Sequence, residues 1–445
     1  MINPRIYLVT ATFLPAVGGA EKQAFAHSRS LRERGLEVTI ITFRHKKVWP
    51  RREVIEGVPV IRVAGILLEG RWRLPRPLQK LAYLLAMLVM GWTLWRYRKC
   101  YDVLHVYKLT FLATLAAMVC RLTGIPLLVS VRSTGSGELE KSYNNASLVA
   151  GTLDATAPWL RVDGRLRAEG KVNVGGDVEA LERMGKPVVR LTHFLLQSIR
   201  AAVVVLSTRM RDHLTEHGFH LPNIQLIPNG VDITRFKPDH NAVSHDEKAH
   251  VVVCITGLRY EKGIDVLLQA WYQVHQQIPQ ARLIIVGYGS LRSQLERLAV
   301  GLGIAGSVEF AGLQSDVPAQ LHRGSIAVLP SRWEGMPNAV LEAMACGLPC
   351  VSTRVSGSED ILQHAVNGLL VEPEDYQGMA QALLTLLCEP LLTQTYGRAA
   401  RETIEKLYAL EQVMDRYIEL YQKMTGHPGP KAEDIASFTI WPQSS

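Results

Sequence analysis

The sequence predicts an α/β protein of two doubly wound domains facing each other across a cleft, and three observations predict it. The chain has 445 residues, about three times a typical domain, so more than one compact unit is expected. Strand-like apolar runs alternate with helical periodicity from the first residues, the pattern of a mostly parallel sheet covered by helices. The alternation gives way to a polar, turn-rich stretch, ITRFKPDHNAVSHDEKAH, and then starts again. Hydrophobic residues at 47% and charged residues at 20% supply full cores and exclude a disordered chain.

Taken in order, residues 5–10 read as a strand, 21–34 as a helix stopped by Gly35, and 37–42 as a strand, which is one βαβ unit. The longest apolar run, LAYLLAMLVMGWTLW at 81–95, has 15 residues, short of the roughly 20 an upright helix needs to cross a bilayer. A buried helix, or one lying in an interface, is expected there. Residues 109–120 read as a core helix, and strands at 103–106, 126–131 and 202–206 continue the sheet. Periodicity fails between Gly137 and Gly176, and an irregular insert is placed near 137–190.

Residues 1–230 thus form the first expected domain and 231–250 a linker. The second domain, 251–408, repeats the alternation: strands at 251–256, 281–286, 308–310, 326–329 and 349–352, helices at 264–275, 290–302 and 338–346. A helix within 409–425 is expected to pack back on the first domain, followed by a mobile tail at 426–445. Two Rossmann-like sheets arranged in this way place their ligand crevices at the strand carboxyl ends, in the cleft.

The net charge of +8 is uneven. Residues 1–200 hold 30 Lys+Arg against 15 Asp+Glu, leaving 19 against 26 for the rest, so the front half carries +15 and the back −7. Nine basic residues lie from Arg44 to Arg76, with Trp49 and Trp72 among them. That composition suits an anionic membrane surface or another polyanion, with a solvated loop as the plain alternative; no nucleic-acid partner is expected. The six cysteines contain no C-x-x-C pair and read as buried free thiols. The segment MINPRIYLVTATFLP reads as a strand and lacks the features of a signal peptide, so a cytoplasmic protein is expected, peripheral at the inner face of the membrane.

Several motifs fall at strand ends. Gly18 and Gly19 close the loop after the first strand and open a helix, where backbone amides and the helix dipole suit a phosphate; a turn and cap is the plainer role. Gly287-Tyr288-Gly289 follows a strand, but Arg292 stands where a dinucleotide fingerprint needs its third glycine, which disfavours a nicotinamide or flavin enzyme. In residues 256–263, TGLRYEKG, Arg259 and Lys262 can neutralise a leaving diphosphate. In PSRWEGMPNAVLEAMACGLP, Glu334 stands before a helix and Glu342 inside it, flanking a dipole end that can hold a diphosphate. One carboxylate suits paired ribose hydroxyls, the other a sugar or a positive oxocarbenium-like centre; two ordinary helix-start acids are the alternative.

The combination of GGAE at 18–21, IPNGVD at 227–232, GLRYEKG at 257–263, IVGYGSL at 285–291, and Glu334 with Glu342 strongly resembles the retaining glycosyltransferases of family 4, the group 1 type with the GT-B fold. The resemblance implies a metal-independent enzyme that needs no cofactor and moves a sugar from a nucleoside-diphosphate-sugar donor to a saccharide or lipid-linked acceptor, with retention at the anomeric carbon. It implies that Glu334 meets the donor sugar, Lys262 the diphosphate, Glu342 the ribose and Gly19 the phosphate from across the cleft. It also implies that the backbone of Gly335, Met336, Pro337 and Asn338 contacts sugar hydroxyls. The first domain takes the acceptor. His105 fits a frequent catalytic histidine position, with a core role as the alternative. The chain departs from the family pattern at Leu258, where an Arg is common and Arg259 comes one place late, and at Arg132, where a His is common. A nucleotide-sugar epimerase of the same architecture and a non-catalytic nucleotide-sugar-binding subunit are the competing functions.

Overall fold

The computed structural model describes residues 3–15, 19–65, 75–133, 177–239 and 250–426. The first half runs β1 (Ile6–Thr10), α1 (Gly19–Glu33), β2 (Val38–Phe43), β3 (Arg52–Ile55), β4 (Val58–Val63), α2 (Arg76–Arg96), β5 (Val103–Tyr107), α3 (Phe111–Thr123), β6 (Leu127–Ser130), α4 (Asp177–Glu182), α5 (Lys186–Ser198), β7 (Ala202–Val205), α6 (Thr208–Glu216) and β8 (Ile224–Leu226). Its strands form one sheet in the order β3-β4-β2-β1-β5-β6-β7-β8. All neighbours pair in parallel except β3 with β4.

The second half runs β9 (Val251–Ile255), α7 (Ile264–Gln277), β10 (Arg282–Val286), α8 (Arg292–Gly301), β11 (Val308–Gly312), α9 (Val317–Leu321), β12 (Ile326–Leu329), α10 (Asn338–Ala345), β13 (Cys350–Thr353), α11 (Ser358–Ile361), β14 (Gly368–Val371), α12 (Tyr376–Cys388), α13 (Pro390–Thr403) and α14 (Leu410–Met424). The strands form an all-parallel sheet in the order β11-β10-β9-β12-β13-β14. That is the doubly wound order in which the chain reverses direction between the first and fourth strands, here β9 and β12. The corresponding reversal in the first sheet lies between β1 and β5. In doubly wound sheets ligands bind at such points, beyond the carboxyl ends of the strands.

Continuous Val/Ile/Leu runs explain the central strands: β1, β5, β6 and β7 are buried along their whole length, as parallel strands covered on both faces require. The chain returns to the first sheet at its end. Val231 N–H donates to Tyr408 O and Leu410 N–H to Val231 O, and α14 then packs on α1. Val413 and Met414, fully buried there, contribute about 1.5–3 kcal/mol each relative to exposure.

Three stretches differ from the sequence reading. The basic segment after Arg44 contains the β3–β4 hairpin, turned at Glu56 and Gly57, which places it on the sheet edge rather than in a loop. Helix α2 is 21 residues long, because Arg76 to Lys80 and Arg96 extend the helix beyond the apolar run, so by length and composition it is a candidate span. Its stripe of Ala86, Met87, Met90 and Leu94 is nevertheless buried in the first-domain core, while Leu81, Leu85, Leu88, Trp92 and Trp95 are exposed. The insert ends earlier than 190, since α4 and α5 are regular and α5 buries Thr192, Leu195 and Leu196; residues 134–176 and the tail at 427–445 lie outside the described residues. Cys100 and Cys388 are exposed, unlike the other four cysteines.

Candidate functional site

Loop 256–263 leaves β9 and loop 330–337 leaves β12, so the two flank the reversal point of the second sheet. Residues Tyr260–Lys262 form a single 3-10 turn closed by Gly263 in the left-handed region, φ 61°. A side chain at 263 would also put its Cβ 2.1 Å from Pro330 O, so glycine lets the two loops touch. That contact delivers Lys262 to Glu334: Nζ stands 2.6 Å from Oε1, with both side chains largely buried. Ser331 Oγ donates to the same oxygen at 2.8 Å.

Arg332 fixes this arrangement from beneath. It is buried, its Nη atoms meet Asp265 at 2.8 and 2.9 Å, and its Nε binds Glu374. Nη1 also donates to Tyr260 O at 2.7 Å while the guanidinium lies 4.1 Å from the Tyr260 ring centroid. Burial alone would lower the guanidinium pKa, but Asp265 and Glu374 hold it raised, so the charge is permanent. Arg259 is different: its side chain is 59% exposed and pairs with Glu261.

Helix α10 starts without a side-chain cap, so its first amides stay available, and Glu342 lies in its second turn. Burial pushes the Glu342 carboxyl up to about 7, against the pull of Lys22 and Arg235. The first domain meets the same helix start. Asn338 Oδ1 accepts from Gln23 Nε2 at 3.1 Å and Asn229 Nδ2 at 2.9 Å, and Asn338 Nδ2 reaches Gly19 O at 3.4 Å. Met336 Sδ accepts from Asn229 N–H at 3.1 Å. At Gly335 the two domains approach so closely that a Cβ would lie 2.2 Å from Arg132 O. Further along the cleft, Ser207 meets Ser356 at 2.7 Å and Thr208 donates to Asp360.

The structure therefore brings together Lys262, Glu334, Gly335, Met336, Pro337, Asn338 and Gly19, with Glu342 one turn on and Arg259 at the rim. Gly18 lies outside the described residues. His105 stands apart from them: it is fully buried, with Nδ1 2.8 Å from Tyr421 Oη and Nε2 2.7 Å from Ser130 Oγ. Burial, reinforced by His27 and Arg132, lowers its pKa and keeps it neutral. His27 Nε2 shares the Tyr421 hydroxyl at 3.1 Å, so the pair joins β5 and α1 to α14 in the core, and His105 is removed from the catalytic set. Gln23, Asn229, Ser331 and Arg332 were not singled out from the sequence. Asn229 lies within IPNGVD and the last two beside Glu334, so motif membership was the available signal. Arg132 follows β6 into the cleft, stacked 3.7 Å over Tyr107 and bonded through Nη1 to Asn229; its Nε and Nη2 are buried and have no hydrogen-bond partner among the described residues.

Comparison with known proteins now decides the family. Residues 249–389 match the domain described as glycosyl transferases group 1, and residues 18–230 match the glycosyl transferase 4-like domain. A lipopolysaccharide core biosynthesis glycosyltransferase, LpsE of Rhizobium meliloti, is 31% identical over 54% of this chain and 68% of its own. The chain belongs to the group 1 glycosyltransferases. Another relative is the GDP-mannose-dependent monoacylated alpha-(1-6)-phosphatidylinositol monomannoside mannosyltransferase of Corynebacterium glutamicum, 29% identical over 56% of this chain and 65% of the relative. The chain spans between 23% and 68% of the length of the curated relatives it matches. Among solved structures, sucrose-phosphate synthase from Thermosynechococcus elongatus superposes with a TM-score of 0.72 at 22% identity, over 95% of this chain and 99% of that one. The architecture of this group 1 glycosyltransferase is GT-B.

Proposed function

We propose that this group 1 glycosyltransferase moves a sugar from a nucleoside-diphosphate-sugar to a saccharide or lipid-linked acceptor, with retention at the anomeric carbon and without a catalytic metal. The observation that carries the reading is the Lys262–Glu334 pair at the reversal point of the second sheet, on the loop that leads to Asn338, which meets Gly19 at the start of α1 by the reversal point of the first. Lys262 and the uncapped start of α10 supply the positive field for the diphosphate, with Arg259 adding to it from the rim and Gly19 opposite. Glu334, held by Ser331, faces the donor sugar, and Glu342 accepts from the ribose hydroxyls. The relative from Corynebacterium glutamicum, by its description, uses GDP-mannose and a lipid acceptor, which supports the same classes here. The test is a panel of nucleotide sugars followed by thermal shift and nucleotide release in EDTA, with the anomeric configuration of any product read by NMR. Retention and release in chelator are expected; an inverted product, or release restored by Mg2+ or Mn2+ but not by Zn2+, overturns the mechanism.

The acceptor reading extends to a membrane. Leu81, Leu85, Leu88, Trp92 and Trp95 form an exposed stripe on α2, with Arg98 4.3 Å from the Trp95 ring, and the first 200 residues carry the +15 charge. An apolar ridge with interfacial tryptophans in a basic domain fits an anionic lipid surface at the cytoplasmic face. Flotation with anionic vesicles at low salt, lost at high salt, is the expected result; absence of binding removes the lipid surface and leaves a soluble acceptor.

A further inference from the structure

On the first domain, away from the Lys262–Glu334 pair, Glu179 of α4 meets His213 of α6 and His217, which follows α6 by one residue. We infer that these three side chains form a site for a divalent transition-metal ion of the zinc class, which joins α4 to the C-terminal end of α6.

The ligand chemistry fits. Histidines four apart on a helix present their rings on one face, and here the ring centroids are 4.1 Å apart. Two imidazoles and a carboxylate are a donor set that zinc takes in a tetrahedral site. Ligand atoms about 2.0–2.1 Å from a tetrahedral zinc stand roughly 3.3 Å apart. His213 Nε2 and Glu179 Oε1 are 3.4 Å apart, and the three ligand atoms lie within 4.8 Å of one another. Side-chain rotation supplies the remaining approach.

Hydrogen bonding sets the donors. His217 Nδ1 lies 2.9 Å from His213 O, so the proton sits on Nδ1 and Nε2 carries the free lone pair. Glu179 Oε2 is buried and makes no hydrogen bond among the described residues, so only Oε1 of this carboxylate is engaged, by His213 Nε2, and a lone pair on Oε2 is left for a ligand role. Glu182 Oε1, 4.0 Å from His217 Nε2, adds negative charge beside the three ligands.

The position gives the ion a structural part. Asp177, which starts α4, binds the backbone N–H of Leu109 and Arg132 and the hydroxyl of Ser133, so it holds the ends of β5 and β6 at the cleft. Helix α6 begins at Ser207 and Thr208, which dock on Ser356 and Asp360 of the second domain. An ion joining the two braces the cleft loops without touching the donor.

The experiment uses the full chain, freed of metal and of any affinity tag, titrated with Zn2+ by calorimetry and thermal shift, and separately with Co2+. One ion per chain, a raised thermal midpoint and the intense visible band of tetrahedral cobalt are expected. His213→Gln and His217→Gln lose the ion, the band and the stabilisation while keeping a native circular dichroism spectrum; His193→Gln keeps all three. No binding by the wild type in excess Zn2+, an octahedral cobalt spectrum, or unchanged stoichiometry and affinity in both variants overturns the site and leaves a His–carboxylate pair.

Discussion

In the second domain the residues proposed to hold the donor sit on two neighbouring loops and one helix, bonded to one another through Arg332, Ser331 and the Lys262–Glu334 pair. The first domain brings Gly19 and Gln23 on α1 and Asn229 after β8, which reach the site by hydrogen bonds across the cleft to Asn338 and Met336, with Arg132 bonded to Asn229 behind them. One half of the site is therefore built before the domains meet, and the other exists only when they do. Changes in the second domain should damage stability and turnover outright. Changes in the first should act through closure.

The largest effect is expected at Arg332. Arg332→Met keeps much of the volume but leaves Asp265, largely buried, facing no cation. Breaking a buried pair in this way costs about 3–5 kcal/mol; Glu374 is nearly half exposed and the N-terminus of α7 still stabilises the Asp265 carboxylate, so roughly 3 kcal/mol, the lower end, is the expected loss. Calorimetry should show a lowered unfolding transition. An unchanged transition would mean that the second-domain cluster is not held together by this arginine.

Next comes Lys262. If its ammonium stabilises charge that develops on the leaving diphosphate, Lys262→Ala should lower turnover by about 10²–10³-fold, in the range of losing one preorganised donor. Glu334→Gln should also act chiefly on turnover, since a group that tightens its contact in the transition state shows in the rate rather than in ground-state affinity. Arg259→Ala, at the exposed rim, should cost less than either. Steady-state kinetics check all three, and wild-type rates in Lys262→Ala would break the assignment of the loops.

Glu342 sharpens the comparison through pH. Its carboxyl is raised to about 7 by burial, so the folded protein holds this proton more tightly than the unfolded chain does. The stability it contributes is present at low pH and is lost as pH rises from the ordinary carboxylate range through about 7. Donor binding runs the other way, because ribose hydroxyls bond best to the ionised form. Affinity should rise with pH up to about 7 and then level. Glu342→Gln should flatten this dependence and weaken binding by about 1–3 kcal/mol. Isothermal titration across the range decides it, and an unaltered profile in the variant would remove Glu342 from the ribose role.

The same contrast governs what could be read from the sequence. Lys262, Glu334 and Glu342 were legible because a strand, a short loop and a helix start are contiguous in the chain and their side chains act within that unit. The sheets were legible for a similar reason: β1 with α1 and β2, or β9 with α7 and β10, are local repeats of apolar period. The β3–β4 hairpin was not, since charges on an edge strand, Arg52 and Glu53, mask its alternation. His105 was misread because Tyr421, the partner that buries it, comes from the far end of the chain. Gln23 and Asn229 were passed over because their partner, Asn338, lies across the cleft.

The smallest effect is expected at that seam. Gln23 Nε2 donates to both Gly230 O and Asn338 Oδ1, each at 3.1 Å, within a partly buried setting, so Gln23→Ala should cost about 1 kcal/mol. Because the lost bond joins the two domains, the cost should fall on the closed state and appear in the donor KM more than in the unfolding transition of either domain. Asn338→Ala removes the same acceptor together with the bond from Asn229, so its effect should be larger. The double variant should then fall short of the sum, with a coupling of about 0.5–1 kcal/mol between positions that share one oxygen. Additive losses in that cycle would show that Gln23 acts on the first domain alone, through Gly230, and the division between a prebuilt half and a closure-dependent half would have to be redrawn.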